Sequence, residues 1–174
     1  LQGAVRGEPE RQIRVGGWLG TARVGWSIVR LGSLFRFYAG AGFPHDEQGN
    51  ESGDLPFIKV GDMAASDDRL RLGGASNWVS RETADSLGAN VAPTNTILFP
   101  KVGAALLTNR RSILSREAVF DNNVMGIFAL GGNARFWLHV LRCVDMSELA
   151  NPGPVPSVSR SAVAEIRLAS PPND

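Results

Sequence analysis

An α+β fold is predicted, with short strands through the middle of the chain and short helices beside them. Three observations predict it. Apolar runs of strand length occupy residues 55–60, 96–99 and 124–130, each bounded by Gly, Pro, Asp or Asn. A stretch at 81–87 follows a Ser suited to cap it, with Glu82 in its first turn and Gly88 just past its end. Residues 135–146 carry apolar side chains at helical spacing, Phe136, Val140 and Cys143 on one stripe and Trp137, Leu141 and Val144 on the next.

Length and composition set the frame. A chain of 174 residues suits one domain with one core, and 43% hydrophobic with 20% charged residues is the balance of a soluble globular protein rather than a disordered one. Residues 1–24, rich in Gly and Arg, read as an N-terminal extension of uncertain order, and residues 25–174 as the domain proper. Residues 26–35 form an apolar-rich segment. Residues 45–53, rich in Asp, Glu, Gln, Asn and Gly, read as an exposed turn region. The strand at 55–60 places Pro56 at its start, where a missing N–H is tolerated, and ends at Gly61-Asp62. Residues 64–77 read as a charged, Gly-rich loop, and residues 104–107 as a further strand followed by a polar turn at 108–111. Asn151-Pro152-Gly153-Pro154 breaks the helix at 135–146; Ser159 then caps one turn leading into a last strand at 166–169.

Several function classes are disfavoured. The longest apolar stretches fall far short of the roughly 18 residues a membrane-spanning helix needs. Arginines at 6, 11 and 14 are not followed by an apolar signal region, so a cytoplasmic location is expected. One cysteine, Cys143, and two histidines, His45 and His139, provide neither a disulfide nor a zinc ligand set. Asn151-Pro152-Gly153-Pro154 lacks the second adjacent proline and the aromatic residue of an adenine methyltransferase motif, and no Gly-x-Gly-x-x-Gly follows a strand. Asp54, Asp62, Asp67 and Asp68 lie in Gly-rich surroundings without the Glu-x-Lys pairing of a nuclease. A formal net charge of +1 is modest for a nucleic-acid binder, but almost all of the 18 basic residues are Arg, whose planar fork suits phosphate and guanine; a GC-rich genome would give the same bias.

Three blocks carry a resemblance. Gly53-Asp54-Leu55-Pro56-Phe57-Ile58-Lys59-Val60-Gly61-Asp62-Met63, then Ile97-Leu98-Phe99-Pro100-Lys101-Val102-Gly103-Ala104, then the closing run from Val155-Pro156-Ser157-Val158-Ser159-Arg160 to Ser170-Pro171-Pro172 occur in order. Together they resemble the DNA target recognition domain of type I restriction-modification specificity subunits, over roughly residues 25–172, in which residues 26–35 look like the family's opening block, an apolar-rich segment followed by a short helical turn. The resemblance implies a strongly curved, mainly antiparallel β-sheet with short helices, and sequence-specific binding of double-stranded DNA that reads one half of a bipartite target without catalysis. It implies an adenine-specific DNA methyltransferase subunit and a restriction/translocase subunit as partners, and no cofactor bound by this chain. Such subunits hold two recognition domains; a single copy here reads as a fragment, a half-sized subunit, or the recognition domain of a fused single-chain restriction-methylation enzyme. The alternative from another class is a protein-interaction scaffold using Trp18, Trp26 and Trp78.

The candidate DNA-binding residues lie in these blocks and at the turns between them. Lys59 is placed to meet a phosphate, and Asp62 to orient a base or hold the turn. Lys101, Arg110 and Arg111 sit at two turns flanking the strand expected at 104–107, up to roughly 20 Å apart at ~3.3 Å per residue; the arginine pair reads equally as a solvated loop. Asn122 and Asn123 either pair with adenine or hold a left-handed turn. Ser157, Ser159 and Arg160 form a polar run at a helix start, with Ser159 a cap, a phosphate ligand, or both.

Overall fold

The computed structural model describes residues 11–15, 18–22, 25–65 and 70–171. It opens on a hairpin, β1 (Arg11–Val15) and β2 (Trp18–Ala22), antiparallel with Val15 opposite Trp18. This hairpin falls in the stretch read as an extension, the rest of which lies outside the described residues. β3 (Ser27–Arg30) leads into one helical turn, α1 (Leu31–Leu34), and then β4 (Phe35–Ala39), as the apolar opening block predicts.

β5 (Leu55–Ile58) is buried along its whole length. It stops two residues earlier than expected because α2 (Val60–Ala65) begins there. The carboxylate of Asp62 accepts the N–H of Lys59 at 2.7 Å, which is half of a capping box and turns the chain into a helix where a simple turn was anticipated. Two-residue strands β6 (Arg71–Leu72) and β7 (Trp78–Val79) then appear inside and just after the predicted loop. α3 (Arg81–Ser86) starts as predicted, with Ser80 Oγ accepting from Thr83 N at 3.0 Å.

β8 (Ile97–Pro100) is fully buried. The strand expected at 104–107 does not form. Gly103 adopts a φ of +70°, a 3-10 turn covers Leu106–Thr108, and Asn109 closes it at φ 49°. Only Leu106 of that run is in the core, so one buried anchor rather than an alternating face decides its conformation. Pairing passes instead to β9 (Ser112–Leu114), β10 (Val119–Phe120) and β11 (Val124–Ala129). α4 (Ala134–Arg142) ends earlier than the spacing suggests: Cys143 caps it, and Asp145 starts a separate 3-10 turn at Met146–Leu149 by accepting Ser147 N. α5 (Arg160–Ala164) and β12 (Arg167–Ser170) close the chain, with Ser159 Oγ accepting from Ala162 N.

The strands form a five-stranded sheet in the order β4-β11-β8-β9-β6, a three-stranded sheet β10-β5-β7, and the ribbons β1-β2 and β12-β3. Most pairs are antiparallel; β6-β9 and β5-β10 are parallel. This is the α+β class with antiparallel-rich sheets and short helices that the sequence predicts. β8 shows how the layers are built. Its Ile97 and Phe99 face a core with Trp137, Leu138 and Leu141 of α4, while Leu98 faces Phe120, Ile58 and Val124 on the other side. Strand alternation thus places one strand between two cores. Phe57, Phe99 and Phe120, all within 1% of complete burial, each contribute about 1.5–3 kcal/mol of apolar transfer energy.

A candidate nucleic-acid interface

Strand direction alone gathers most of the candidate residues at one rim of the fold. β11 runs antiparallel to both β4 and β8, with Met125 opposite Ala39 and Val124 opposite Pro100. The start of β11 therefore lies beside the ends of β4 and β8. β9 is antiparallel to β8, so it starts where β8 ends. β10 and β5 run in parallel into the same rim, where Asp121 N donates to Ile58 O at 3.0 Å. The turn 121–123, Lys59, Lys101 and Arg110-Arg111 all stand at these strand ends.

The closing block is sewn to the same place. Lys101 N donates to Asn123 O at 2.8 Å, Val158 N to Lys101 O at 2.9 Å, and Gly103 N to Pro156 O at 2.8 Å. Val102 bridges Ser157. Lys101, Ser159 and Arg160 consequently line one cavity of about 120 Å³ together with Phe37, Tyr38, Ala39, Val124, Met125 and Val158. Its wall is apolar and aromatic, its charged members are both cationic, and it contains no carboxylate. Arg160 lies over the Phe37 ring, 5.2 Å from guanidinium carbon to centroid, which orients the fork without consuming its donors. No described residue partners the ammonium of Lys101.

Asn122 and Asn123 are exposed, and neither is left-handed; the left-handed non-Gly residues among those described are Asn95 and Asn109. The turn is held by Asp121, whose Oδ1 accepts Asn123 N at 2.8 Å. Of the two roles the sequence leaves open for this pair, the left-handed turn is not adopted. Lys59 is half-buried, with Nζ donating to Gln48 Oε1 at 2.6 Å and lying 5.1 Å from the centroid of Phe43, which stacks on Phe57. Asp62 is 8% exposed; Oδ1 accepts from Ser76 N and Oγ while Oδ2 takes Lys59 N. Both of its oxygens therefore hold the turn.

Arg110 and Arg111, adjacent in sequence, have different surroundings. Arg110 is half-buried and donates to Met63 O of α2 at 3.1 Å. Arg111 is 2% exposed, 5.1 Å from the Phe99 centroid, and donates to Arg110 O and Asn109 Oδ1 at 2.8 Å and more weakly to Val144 O. Burial lowers its pKa to about 10, with Asp145 opposing the shift. Arg111 supports the 101–111 loop from inside, and nothing of its guanidinium reaches the surface. With no strand at 104–107, Lys101 and this pair are not held apart at its two ends; the loop leaves β8 and returns to β9 beside it.

Sequence reasoning missed Gln48, the partner of Lys59, which no local pattern marks. It also missed Gly40, where an added Cβ would lie 1.9 Å from Asp121 O. The Gly-Ala-Gly run was the available signal: only a glycine lets β4 pass this close to the turn at 121–123. Of the acids weighed as metal ligands, Asp67 and Asp68 lie outside the described residues, and Asp54 accepts Arg81 N at 3.0 Å. Among the described residues no group of three His, Cys, Asp or Glu is placed to hold a metal, and no helix is long and apolar enough to cross a membrane.

This arrangement of strands is shared with solved structures. A chain from a structure of the type I R-M system in its complex assembly and conformational transition superposes with a TM-score of 0.67 at 18% identity, covering 86% of this chain and 35% of that one. The HsdS subunit from Thermoanaerobacter tengcongensis gives 0.61 at 15%, over 86% and 34%. The type I restriction-modification S subunit from M. genitalium gives 0.52 at 14%, over 83% and 34%. The fold is that of a type I S-subunit domain. The chain spans about a third of the length of these structures. No protein-family model and no curated protein matches it.

Proposed function

We propose that this chain is a DNA target recognition domain, binding double-stranded DNA sequence-specifically as the non-catalytic specificity component of a type I restriction-modification system and reading one half of a bipartite target. The observation that carries this reading is the gathering of Lys101, Asn122, Asn123, Ser157, Ser159 and Arg160 at one rim of a type I S-subunit fold, around a cavity lined by Lys101, Ser159 and Arg160 and by no carboxylate. Lys101, Ser157, Ser159 and Arg160 hold backbone phosphates, and the exposed Asn122 and Asn123 reach base edges, where a side-chain amide pairs with adenine. Lys59 and Arg110 flank them with positive charge, while Asp62 and Arg111 act from inside by fixing the loops. Residues 25–174 form the domain, which works in the cytoplasm with an adenine-specific methyltransferase subunit and a restriction/translocase subunit.

The aromatic residues of the scaffold alternative have partners within the chain where they are described. Trp26 packs edge-on against Phe136, and Trp78 lies under the guanidinium of Arg116 while its Nε1 donates to Ala75 O; the side chain of Trp18 lies outside the described residues. The test is selection from a randomised duplex library at low salt, with the chain alone and with its methyltransferase partner. A short motif should be enriched. Lys101→Ala and Arg160→Ala should each flatten the dependence of log affinity on log salt by about 0.9, one phosphate contact each. A well-folded chain that enriches no sequence in either condition refutes the reading.

A further inference from the structure

The two asparagines at the rim are held differently. Asn123 is bonded through both groups of its backbone: its N–H donates to Asp121 Oδ1 and its carbonyl accepts Lys101 N, each at 2.8 Å. Asn122 makes no backbone hydrogen bond to a described residue, and the side-chain amides of both have no partner among the described residues. The turn that carries Asn123 is itself fixed. Val124 N closes it onto Asp121 O at 3.1 Å, Asp121 N donates to Ile58 O, and β4 passes so near that a Cβ at Gly40 would lie 1.9 Å from Asp121 O.

Lys101 stands opposite Asn123, one pair beyond Pro100 and Val124, so their Cα atoms are about 5 Å apart. That separation is between one and two nucleotide steps of a DNA strand, at about 3.4 Å each. A side chain that reads a base must stand on a backbone that does not move, and of the two asparagines only Asn123 does. An amide offers a donor and an acceptor side by side. In the major groove the edge that matches it is that of adenine, with the N6 amino group as donor and N7 as acceptor, whereas guanine shows two acceptors there.

We propose that Asn123, and not Asn122, reads an adenine, and that Lys101 holds a phosphate flanking that same adenine. The inference rests on the duplex-binding reading above and fixes one base, the residue that reads it, and the register of the strand beside it. The test uses the full chain and a duplex bearing the selected motif, with each adenine replaced in turn by 7-deazaadenine, which removes the N7 acceptor and keeps the base pair. At one position the replacement should weaken binding about five-fold, the equivalent of about 1 kcal/mol. Asn123→Ala should bind the two duplexes equally at that position, and Asn122→Ala should keep the difference. Asn123 is anchored through its backbone, which alanine retains, and low salt keeps weakened variants bound through their phosphate contacts. A neutral methylphosphonate at one of the two phosphates flanking that adenine should then flatten the dependence of log affinity on log salt by about 0.9, and should change nothing further in Lys101→Ala. Indifference of the unaltered chain at every adenine overturns the proposal and leaves duplex recognition standing, as does a selected motif without adenine. A 7-deaza effect that survives in Asn123→Ala, or that Asn122→Ala removes, also overturns it, as does a methylphosphonate effect that persists in Lys101→Ala. Failure to enrich any duplex refutes recognition itself and the proposal with it.

Discussion

Replacing Arg111 with Met and with Ala separates a buried support from a surface ligand. The guanidinium is 2% exposed, and burial lowers its pKa from the ordinary guanidinium range to about 10. At about 1.36 kcal/mol per pH unit, the difference amounts to a cost of about 3 kcal/mol for keeping the charge inside at neutral pH. Against this stand two short hydrogen bonds from a charged donor, to Arg110 O and Asn109 Oδ1, which at about 2 kcal/mol each contribute about 4 kcal/mol. Nε of Arg111 is buried without a partner among the described residues, a cost of about 1 kcal/mol, so the polar head is close to neutral overall. Arg111→Met, which keeps an apolar stem, should change stability by less than about 1 kcal/mol. Arg111→Ala also forfeits two buried methylenes at about 0.8 kcal/mol each and should lose about 2 kcal/mol. Chemical denaturation at neutral pH measures both, and duplex binding of folded Arg111→Met supplies the second readout: its salt dependence should match the unaltered chain. The charged form is disfavoured in the folded state, so the folded chain binds fewer protons between pH 10 and the ordinary guanidinium range. This residue's contribution to stability is therefore constant below pH 10 and rises with pH through that window. An Arg111→Ala variant as stable as the original, or an Arg111→Met variant whose salt dependence falls by the amount of one phosphate contact, would refute the interior assignment.

Two further outcomes test the rim itself. Gly40→Ala should destabilise the fold by about 3 kcal/mol or more in thermal or urea unfolding, because its Cβ would meet backbone carbonyl atoms of Asp121 at 1.9 Å, where no flexible side chain can yield. A variant within about 0.5 kcal/mol of the original would show that β4 does not run against the 121–123 turn. For Asp145, hydrogen bonds from Ser147 hold the carboxyl pKa below its usual value, with Arg111 adding to the shift. A lowered folded pKa stabilises above the unfolded value near 4 and loses that contribution as pH falls through the folded pKa. Asp145→Asn should accordingly reduce the stability difference between pH 7 and pH 3, and an unchanged difference would count against the assignment.

Local elements were legible because their determinants lie within a few residues. Ser80 and Ser159 cap helices through bonds to N–H groups three positions on, and Gly88 past the first of them is left-handed at φ +62°. The buried strands β5, β8 and β11 were visible as apolar runs between turn residues. Where the signal was short, it failed. Ala104-Ala105-Leu106-Leu107 carries no periodicity that separates strand from turn, and β6, β7 and β10 are two-residue strands that exist only because a partner strand lies alongside. The early stop of β5 depended on a carboxylate bonding back to Lys59, which a reading of Gly61-Asp62 as a turn overlooks.

The candidate site divides in the same way. By itself the sequence determined which residue types are available, in which blocks, and with which local caps, and through those blocks it identified the family resemblance. Tertiary structure decided which of them share a surface. Arg110 and Arg111 are the same residue type at neighbouring positions, yet one edges α2 and the other is sealed against Phe99. Lys101, Asn123 and Arg160, up to 59 positions apart by their numbers, meet because β11 pairs with β8 on one side and β4 on the other, and Val158 bonds to Lys101. Caps and turns are fixed by hydrogen bonds a few residues long, whereas burial and strand register depend on contacts between distant segments.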